Sequence, residues 1–121
     1  MTARSLVVKV TAGTGDQERC NQAFTVAATG VASGLQVSLW LTGEASWFAL
    51  PGRAGDVALP HSAPLRELLA AVLADGTVTV CSQCAARRDI AARDTIEGIR
   101  IAGAATFLAE IMAEGAQALV Y

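Results

Sequence analysis

The residues with the clearest chemical potential lie in one short stretch, TVTVCSQCAARRDI, which covers residues 77–90. Cys81 and Cys84 stand three residues apart, and Arg87 and Arg88 follow them. Cysteine thiolates act as nucleophiles and as metal ligands, and cysteines at this spacing are within disulfide reach when the turn between them is helical. The stretch therefore indicates a reactive thiol pair, half of a metal site, or a buried strand end that contains cysteine.

The residues around the pair favour a reactive thiol at Cys81. An alternating run of strand type ends at Cys81, and the next residues would begin a short helix, whose free N–H groups favour negative charge and lower a thiol pKa. The two arginines add positive potential. We expect Cys81 to form a mixed disulfide or a persulfide and Cys84 to act as the second thiol that resolves it.

Four other residues are weaker candidates for a role in the site. Zinc needs about four ligands, and beyond the pair only Cys20 and His61 are soft candidates, so a four-cysteine site would need a second subunit. We predict no metal and no cofactor. Cys20 falls on the apolar stripe of a helix and is expected to pack in the core, and His61 is expected to be a solvated or capping loop residue. Trp47 and Phe48 could form a lid, enter a subunit interface or pack in the core.

The composition favours a globular protein that binds neither nucleic acid nor membranes. The 121 residues are 53% hydrophobic and 17% charged, with a formal net charge of −2, so there is no large basic face for phosphate. We find no signal-peptide pattern and no apolar run of membrane-spanning length. We therefore expect one domain over residues 1–121, located in the cytoplasm, with its three cysteines as thiols.

Strand-like runs alternate with helical segments along the chain. The predicted strands cover residues 5–11, 35–41, 77–81, 98–103 and 116–121. This alternation predicts an α/β fold: a flavodoxin-like three-layer sandwich with a five-stranded parallel sheet of order 2-1-3-4-5 and helices on both faces. In that order Cys81 ends strand 3 at the switch point between strands 1 and 3, where ligands bind in such sheets.

Local signals give further expectations for individual elements. Asp16 is placed to cap the first helix and Ser62 the second, which would include Pro64 in its first turn. The strand over 35–41 alternates in a way that is compatible with a sheet edge. The last helix, over 104–115, is expected to bury four apolar residues: Phe107, Leu108, Ile111 and Met112.

The chain resembles the DsrE/DsrF-like family of small sulfur-metabolism proteins, which includes the TusD-type sulfur carriers. The resemblance rests on the opening segment, residues 11–44, and on VCSQCAARRDI, in which Arg87 and Arg88 follow Cys81 by six and seven residues, as they follow the sulfur-accepting cysteine of the carriers. It departs at Asp89, where the family often has glycine, and at Cys84, which is not part of the single-cysteine pattern. The resemblance implies a homo-oligomer (trimer or hexamer) or a hetero-oligomer with related subunits, and sulfur donor and acceptor proteins as partners.

Three functional hypotheses follow. The first is a sulfur-relay or persulfide-handling protein, a sulfur carrier or sulfurtransferase, with Cys81 as acceptor, Cys84 as second thiol, and Arg87 and Arg88 in support. The second is a dithiol–disulfide oxidoreductase that uses the same pair. The third is a non-catalytic ligand-binding, metal-binding or assembly module in which the pair is structural.

Overall fold

The computed structural model describes residues 4–121, so the first three residues of the predicted domain lie outside the description. The strands are β1 Ser5–Val10, β2 Gln36–Leu41, β3 Thr77–Cys81, β4 Arg100–Ala102 and β5 Ala116–Val120. The helices are α1 Gln17–Ala32, α2 Leu65–Asp75, α3 Ser82–Arg87 and α4 Ala104–Ile111. The elements and their sequence follow the predicted pattern, and 3-10 turns occupy the irregular segment between β2 and α2.

All five strands form one parallel sheet, as predicted, but in the order β4-β3-β2-β1-β5. The predicted order 2-1-3-4-5 is wrong, and β2 is a central strand, not an edge strand. β3 lies next to β2 and β4, so no switch point between strands 1 and 3 exists. The predicted position of Cys81 at the carboxyl end of β3 is confirmed. The predicted switch point beside it is absent from this sheet.

The order follows from the packing of α1 against α2. A right-handed crossover places its helix on a face that depends on the direction in which the chain moves across the sheet. Because α1 and α2 share one face, β1 to β2 and β2 to β3 must be steps in the same direction. The chain then reverses after β4, and α4 leads to β5 beside β1 on the opposite face.

The main core lies between the sheet and the α1–α2 layer. Alternate strand residues contribute to it, because successive side chains of a strand point to opposite faces. Phe24 of α1 stacks edge-on against Phe48, with ring centroids 6.0 Å apart. The largest buried aliphatic side chains are Val8, Val10, Leu39, Leu41, Leu65, Val72, Val78 and Val80. Across the described chain, every helix is too short or too polar to span a bilayer.

The opposite face of the sheet is covered by α4 through a polar anchor. Glu110 accepts hydrogen bonds from the Ser38 hydroxyl and from Trp40 Nε1, and it pairs with Arg100. Phe107 packs edge-on against Trp40, with ring centroids 5.3 Å apart. These contacts join α4 to β2 and β4.

The prediction that α4 buries four apolar residues is wrong for the single chain. Leu108 is 57% exposed and Met112 74% exposed, while Phe107 and Ile111 are half-buried. The reason is that a helix of eight residues on an otherwise uncovered sheet face has only one side against protein. Val120 of the adjacent edge strand β5 is exposed as well, so this side of the molecule is apolar and open.

The two predicted helix caps differ in outcome. The Asp16 carboxylate accepts a hydrogen bond from the Arg19 amide, which confirms the cap of α1. Ser62 does not cap α2: Pro64 is extended and is itself the residue before the helix, with no side-chain cap. A proline disfavours helical backbone at the residue before it, so Ala63 cannot extend the helix. Pro64 is at the N-cap position, and α2 begins at Leu65.

We predict that Glu110→Gln lowers the free energy of unfolding by about 1–2 kcal/mol near neutral pH, because charge-assisted hydrogen bonds are lost. Burial disfavours the ionised carboxylate, but Ser38, Trp40 and Arg100 outweigh it and hold the pKa of Glu110 below its ordinary value of 4.5. The contribution of the carboxylate is therefore complete above pH 4.5 and is lost as the pH falls through the lowered pKa. Denaturant unfolding of both proteins across this range should show the difference narrowing in acid, and a difference independent of pH would contradict the prediction.

Candidate thiol site

The two cysteines of the C-x-x-C stretch meet where β3 passes into α3. Cys81 is the last residue of β3, and Cys84 lies in the first turn of α3. Both are free thiols and both are half-buried. The two residues lie 3.5 Å apart. The structure thus brings the predicted pair together in its reduced form, within the reach that a disulfide or a sulfur transfer requires.

The Cys84 sulfur accepts a hydrogen bond from a neighbouring loop. The Gly43 amide donates to Cys84 Sγ at 3.3 Å. Gly43 has a φ of 51°, and a Cβ at this position would lie 2.9 Å from the Thr11 carbonyl oxygen. Only glycine fits this conformation and this space without a shift of the backbone. The preceding residue, Thr42, is tied to Val10 by its amide and its hydroxyl, so the loop that presents the amide is fastened to β1.

The two arginines occupy different environments. Arg88 forms a two-pronged contact with Glu44, through Nη2 at 2.9 Å and Nε at 3.1 Å. Its Nη1 also donates to the Cys84 carbonyl oxygen at 3.2 Å. Arg87 is exposed. Arg88 therefore links α3 to the loop that carries Gly43, while Arg87 contributes charge without a fixed partner among residues 4–121.

These contacts favour the thiolate of Cys84. Burial opposes ionisation, but the Gly43 amide, the Cys81 thiol and the positive charges of Arg88 and Arg87 together lower the pKa of Cys84. The sequence pattern predicts the activated thiolate at Cys81, next to the start of the helix. Instead, the amide that reaches a sulfur belongs to Gly43, outside α3, and it reaches Cys84. α3 itself has only six residues.

The thiols open onto a cavity of about 280 Å³ between β1, β2 and α4. Lys9 is on its wall, and the Lys9 ammonium lies 5.2 Å from the centroid of the Phe107 ring. The remaining walls are both polar and aromatic. The lining residues are Lys9, Thr11, Trp40, Thr42, Gly43, Cys81, Gln83, Cys84, Ala104 and Phe107. Sequence patterns did not identify Lys9 or Gly43, although a lysine inside an apolar strand and a glycine before an acidic residue were visible signals.

The turn at the C-terminal end of α3 explains why aspartate is tolerated at position 89, where the family often has glycine. Asp89 adopts a φ of 54°, the left-handed conformation that ends many helices. Glycine is favoured there, and aspartate is among the few other residues that tolerate it. Aspartate at this position is therefore compatible with the turn that ends α3.

The other candidate residues lie away from the cavity. Cys20 is completely buried, and burial, followed by the charge of Asp16, raises its pKa to about 12. Its predicted core role is confirmed. His61 is an exposed loop residue, and Phe48 packs in the core. Trp47 lies outside the cavity, where its indole donates to Glu44 and its ring contacts Arg53.

A metal-binding cluster of three or more His, Cys, Asp or Glu side chains does not occur within residues 4–121 of one chain. The pair could contribute two sulfur ligands, so a complete tetrahedral site would need donors from another subunit.

Solved structures share this fold over almost the whole chain. YchN from E. coli superposes with a TM-score of 0.79 at 19% identity and covers 99% of this chain and 100% of its own. MTH1491 from Methanobacterium thermoautotrophicum, a protein of unknown function, gives a TM-score of 0.69 at 13% identity with coverage of 99% and 100%. At these identities the likeness shows the fold.

Sequence comparison identifies a relative and a family. An uncharacterized protein of Methanocaldococcus jannaschii, MJ0760, is 32% identical over 99 residues, which are 81% of this chain. The chain covers only 36% of that protein's length. The model of the DsrE/DsrF-like family matches residues 4–121, which include the sheet, the thiol pair and both arginines. The chain therefore belongs to the DsrE/DsrF-like family.

Proposed function

We propose that this protein is a sulfur-relay protein that receives sulfane sulfur as a persulfide on the Cys81–Cys84 pair. The observation that carries the proposal is the pair itself: two reduced thiols 3.5 Å apart, open to a cavity, in a chain of this family. By the resemblance of its surrounding residues, Cys81 corresponds to the sulfur-accepting cysteine of the family, and we assign Cys84 as the second thiol. Arg87 and Arg88 support the site by their positive charge.

The chemistry of the cavity supports this function. Sulfur moves between thiols by attack of a thiolate on a sulfur–sulfur bond, and the departing sulfur leaves as a thiolate. The Lys9 ammonium and the two arginines provide positive charge near the place where these anions form. The cavity is too small for a folded partner but admits the tip of a persulfide-bearing side chain. The partners that fit are therefore sulfur donor and acceptor proteins.

The open apolar side of the molecule supports assembly as part of the same proposal. Leu108, Met112 and Val120 are exposed around the rim of α4 and β5. Burying such side chains removes apolar surface from water and favours association. We propose a homo-oligomer, trimer or hexamer, or a hetero-oligomer with related subunits. A reducing compartment such as the cytoplasm, the location expected from the sequence, would keep the thiols available.

The test is to treat the protein with a cysteine desulfurase and cysteine and to locate added sulfur by mass spectrometry of tryptic peptides. We expect one added sulfur atom on the peptide that contains the pair, and none in the Cys81→Ser, Cys84→Ser double variant. Cys20→Ala is the matched control and should load as the wild type does, because Cys20 is buried away from the cavity. Unmodified pair peptides in a folded protein would contradict the proposal and favour a ligand-binding or assembly role.

The 3.5 Å separation also favours a second candidate, a dithiol–disulfide oxidoreductase. This function requires a reversible Cys81–Cys84 disulfide. Equilibration in glutathione redox buffers, followed by alkylation and mass analysis, should then give a defined potential. Cys84→Ser should abolish thiol–disulfide turnover completely. A Cys84→Ser variant that still turns over would exclude the dithiol mechanism, and a pair that stays reduced across the buffers would do the same.

A further inference from the structure

We propose that Cys84 is the thiolate that first captures sulfur, that the Gly43 amide positions it, and that Cys81 receives the sulfur from Cys84 within the same cavity. This inference rests on the proposed sulfur-relay function and assigns the order of the two thiols within it. It reverses the order expected from the resemblance, in which Cys81 meets the donor first.

The first observation is the difference between the contacts of the two sulfurs. Cys84 Sγ accepts a backbone N–H bond from Gly43 at 3.3 Å, and the Cys81 thiol is its neighbour within the pair. A sulfur that accepts a backbone N–H bond is stabilised as an anion, and the thiolate is the form that attacks. The backbone donor therefore reaches the sulfur of Cys84, the second cysteine of the pair.

The second observation is that the Gly43 amide is held in place from both sides. A side chain at Gly43 would lie 2.9 Å from the Thr11 carbonyl oxygen, so the loop is as close to β1 as glycine permits. The next residue, Glu44, pairs with Arg88, whose Nη1 also contacts the Cys84 carbonyl. The loop and α3 are thus joined on each side of the N–H···S bond.

The charged and titratable groups around the pair come from four elements. Arg87 and Arg88 belong to α3, Glu44 to the 3-10 turn after β2, Lys9 to β1 and Cys81 to β3. Glu44 is paired with Arg88, so the surroundings of Cys84 have an excess of positive charge.

The transfer needs no oxidant or reductant. The Cys84 thiolate attacks the outer sulfur of a donor persulfide, R–S–SH; a bond forms between the two sulfurs, the donor S–S bond breaks, and RS⁻ leaves with the electron pair. Cys81 Sγ then attacks the outer sulfur of the Cys84 persulfide. The Cys84–sulfur bond breaks, and the Cys81 proton passes to the released Cys84 sulfur. The product is a Cys81 persulfide and a free Cys84 thiol, and the next acceptor takes the sulfur from Cys81.

The order of ionisation is tested by alkylation with iodoacetamide as a function of pH, with the modified cysteine located by mass spectrometry. In the folded protein without any sulfur donor, Cys84 should react at lower pH than Cys81, and Cys20 should react only after denaturation. The Cys81→Ser and Cys84→Ser variants separate the two curves. Ionisation of Cys81 at a pH equal to or below that of Cys84 overturns the assignment.

Gly43→Ala tests the positioning role. Loss of the N–H···S bond should slow the alkylation of Cys84 near neutral pH about tenfold and move its pH profile upward. Gly52→Ala is the matched control: Gly52 also has a positive φ, of 82°, but no atom lies within 4 Å of an added Cβ. Its profile should equal that of the wild type. An unchanged Cys84 profile in folded Gly43→Ala overturns the role of Gly43. If this variant does not fold, Thr42→Val replaces it with the same expected direction, because it removes the hydroxyl bond to the Val10 carbonyl that fastens the loop and changes no charge.

Sulfur loading of the single variants completes the test. Cys81→Ser should retain a persulfide on Cys84, and Cys84→Ser should fail to load Cys81 at the wild-type rate. Rapid loading of Cys81 in Cys84→Ser overturns the proposed order. If no thiol of the wild type accepts sulfur while Cys84 is still the more acidic thiol, the sulfur-relay function fails and the assignment of the thiolate stands.

Discussion

The packing of α1 against α2 on one face of the sheet is the constraint on which the rest of the structure depends. It makes the first two crossovers move in one direction and places β2 and β3 side by side. The other face is then left to α4, which is short and is fastened by Glu110 to β2 and β4. Because α4 covers this face only in part, a cavity remains next to the carboxyl ends of the strands. The thiols of Cys81 and Cys84 line this cavity.

Within this cavity, the decisive local feature is a backbone amide. A glycine with positive φ lets the loop after β2 lie against the Thr11 carbonyl and direct its N–H to the Cys84 sulfur. Arg88 and Glu44 hold the loop and α3 together, so the arginine that follows the cysteines has a structural task as well as an electrostatic one. The site is therefore built from two strand ends and does not depend on the cysteine stretch alone.

Much of this could be predicted from the sequence, because local patterns report local structure. A near-continuous apolar run predicted β1, alternation predicted β2 and β3, and Asp16 marked the start of α1. The spacing of Cys81 and Cys84 indicated that they would meet. The strand order could not be predicted, since it depends on which helices share a face. The more stabilised thiolate was also missed, because its partner, Gly43, is 41 residues away in sequence. Leu108 and Met112 are exposed because α4 covers little of the sheet. The periodicity of the helix predicts which residues share a side, but not how much of that side contacts the sheet.

We propose that sulfur enters at Cys84 and passes to Cys81, which lies 3.5 Å away. Time-resolved sulfur loading of the wild-type protein tests this claim most directly, with rapid acid quenching and fragmentation of the pair peptide to distinguish the two positions. The account predicts that the Cys84 persulfide appears first and declines as the Cys81 persulfide rises. Appearance of the Cys81 persulfide without a preceding Cys84 persulfide would contradict it.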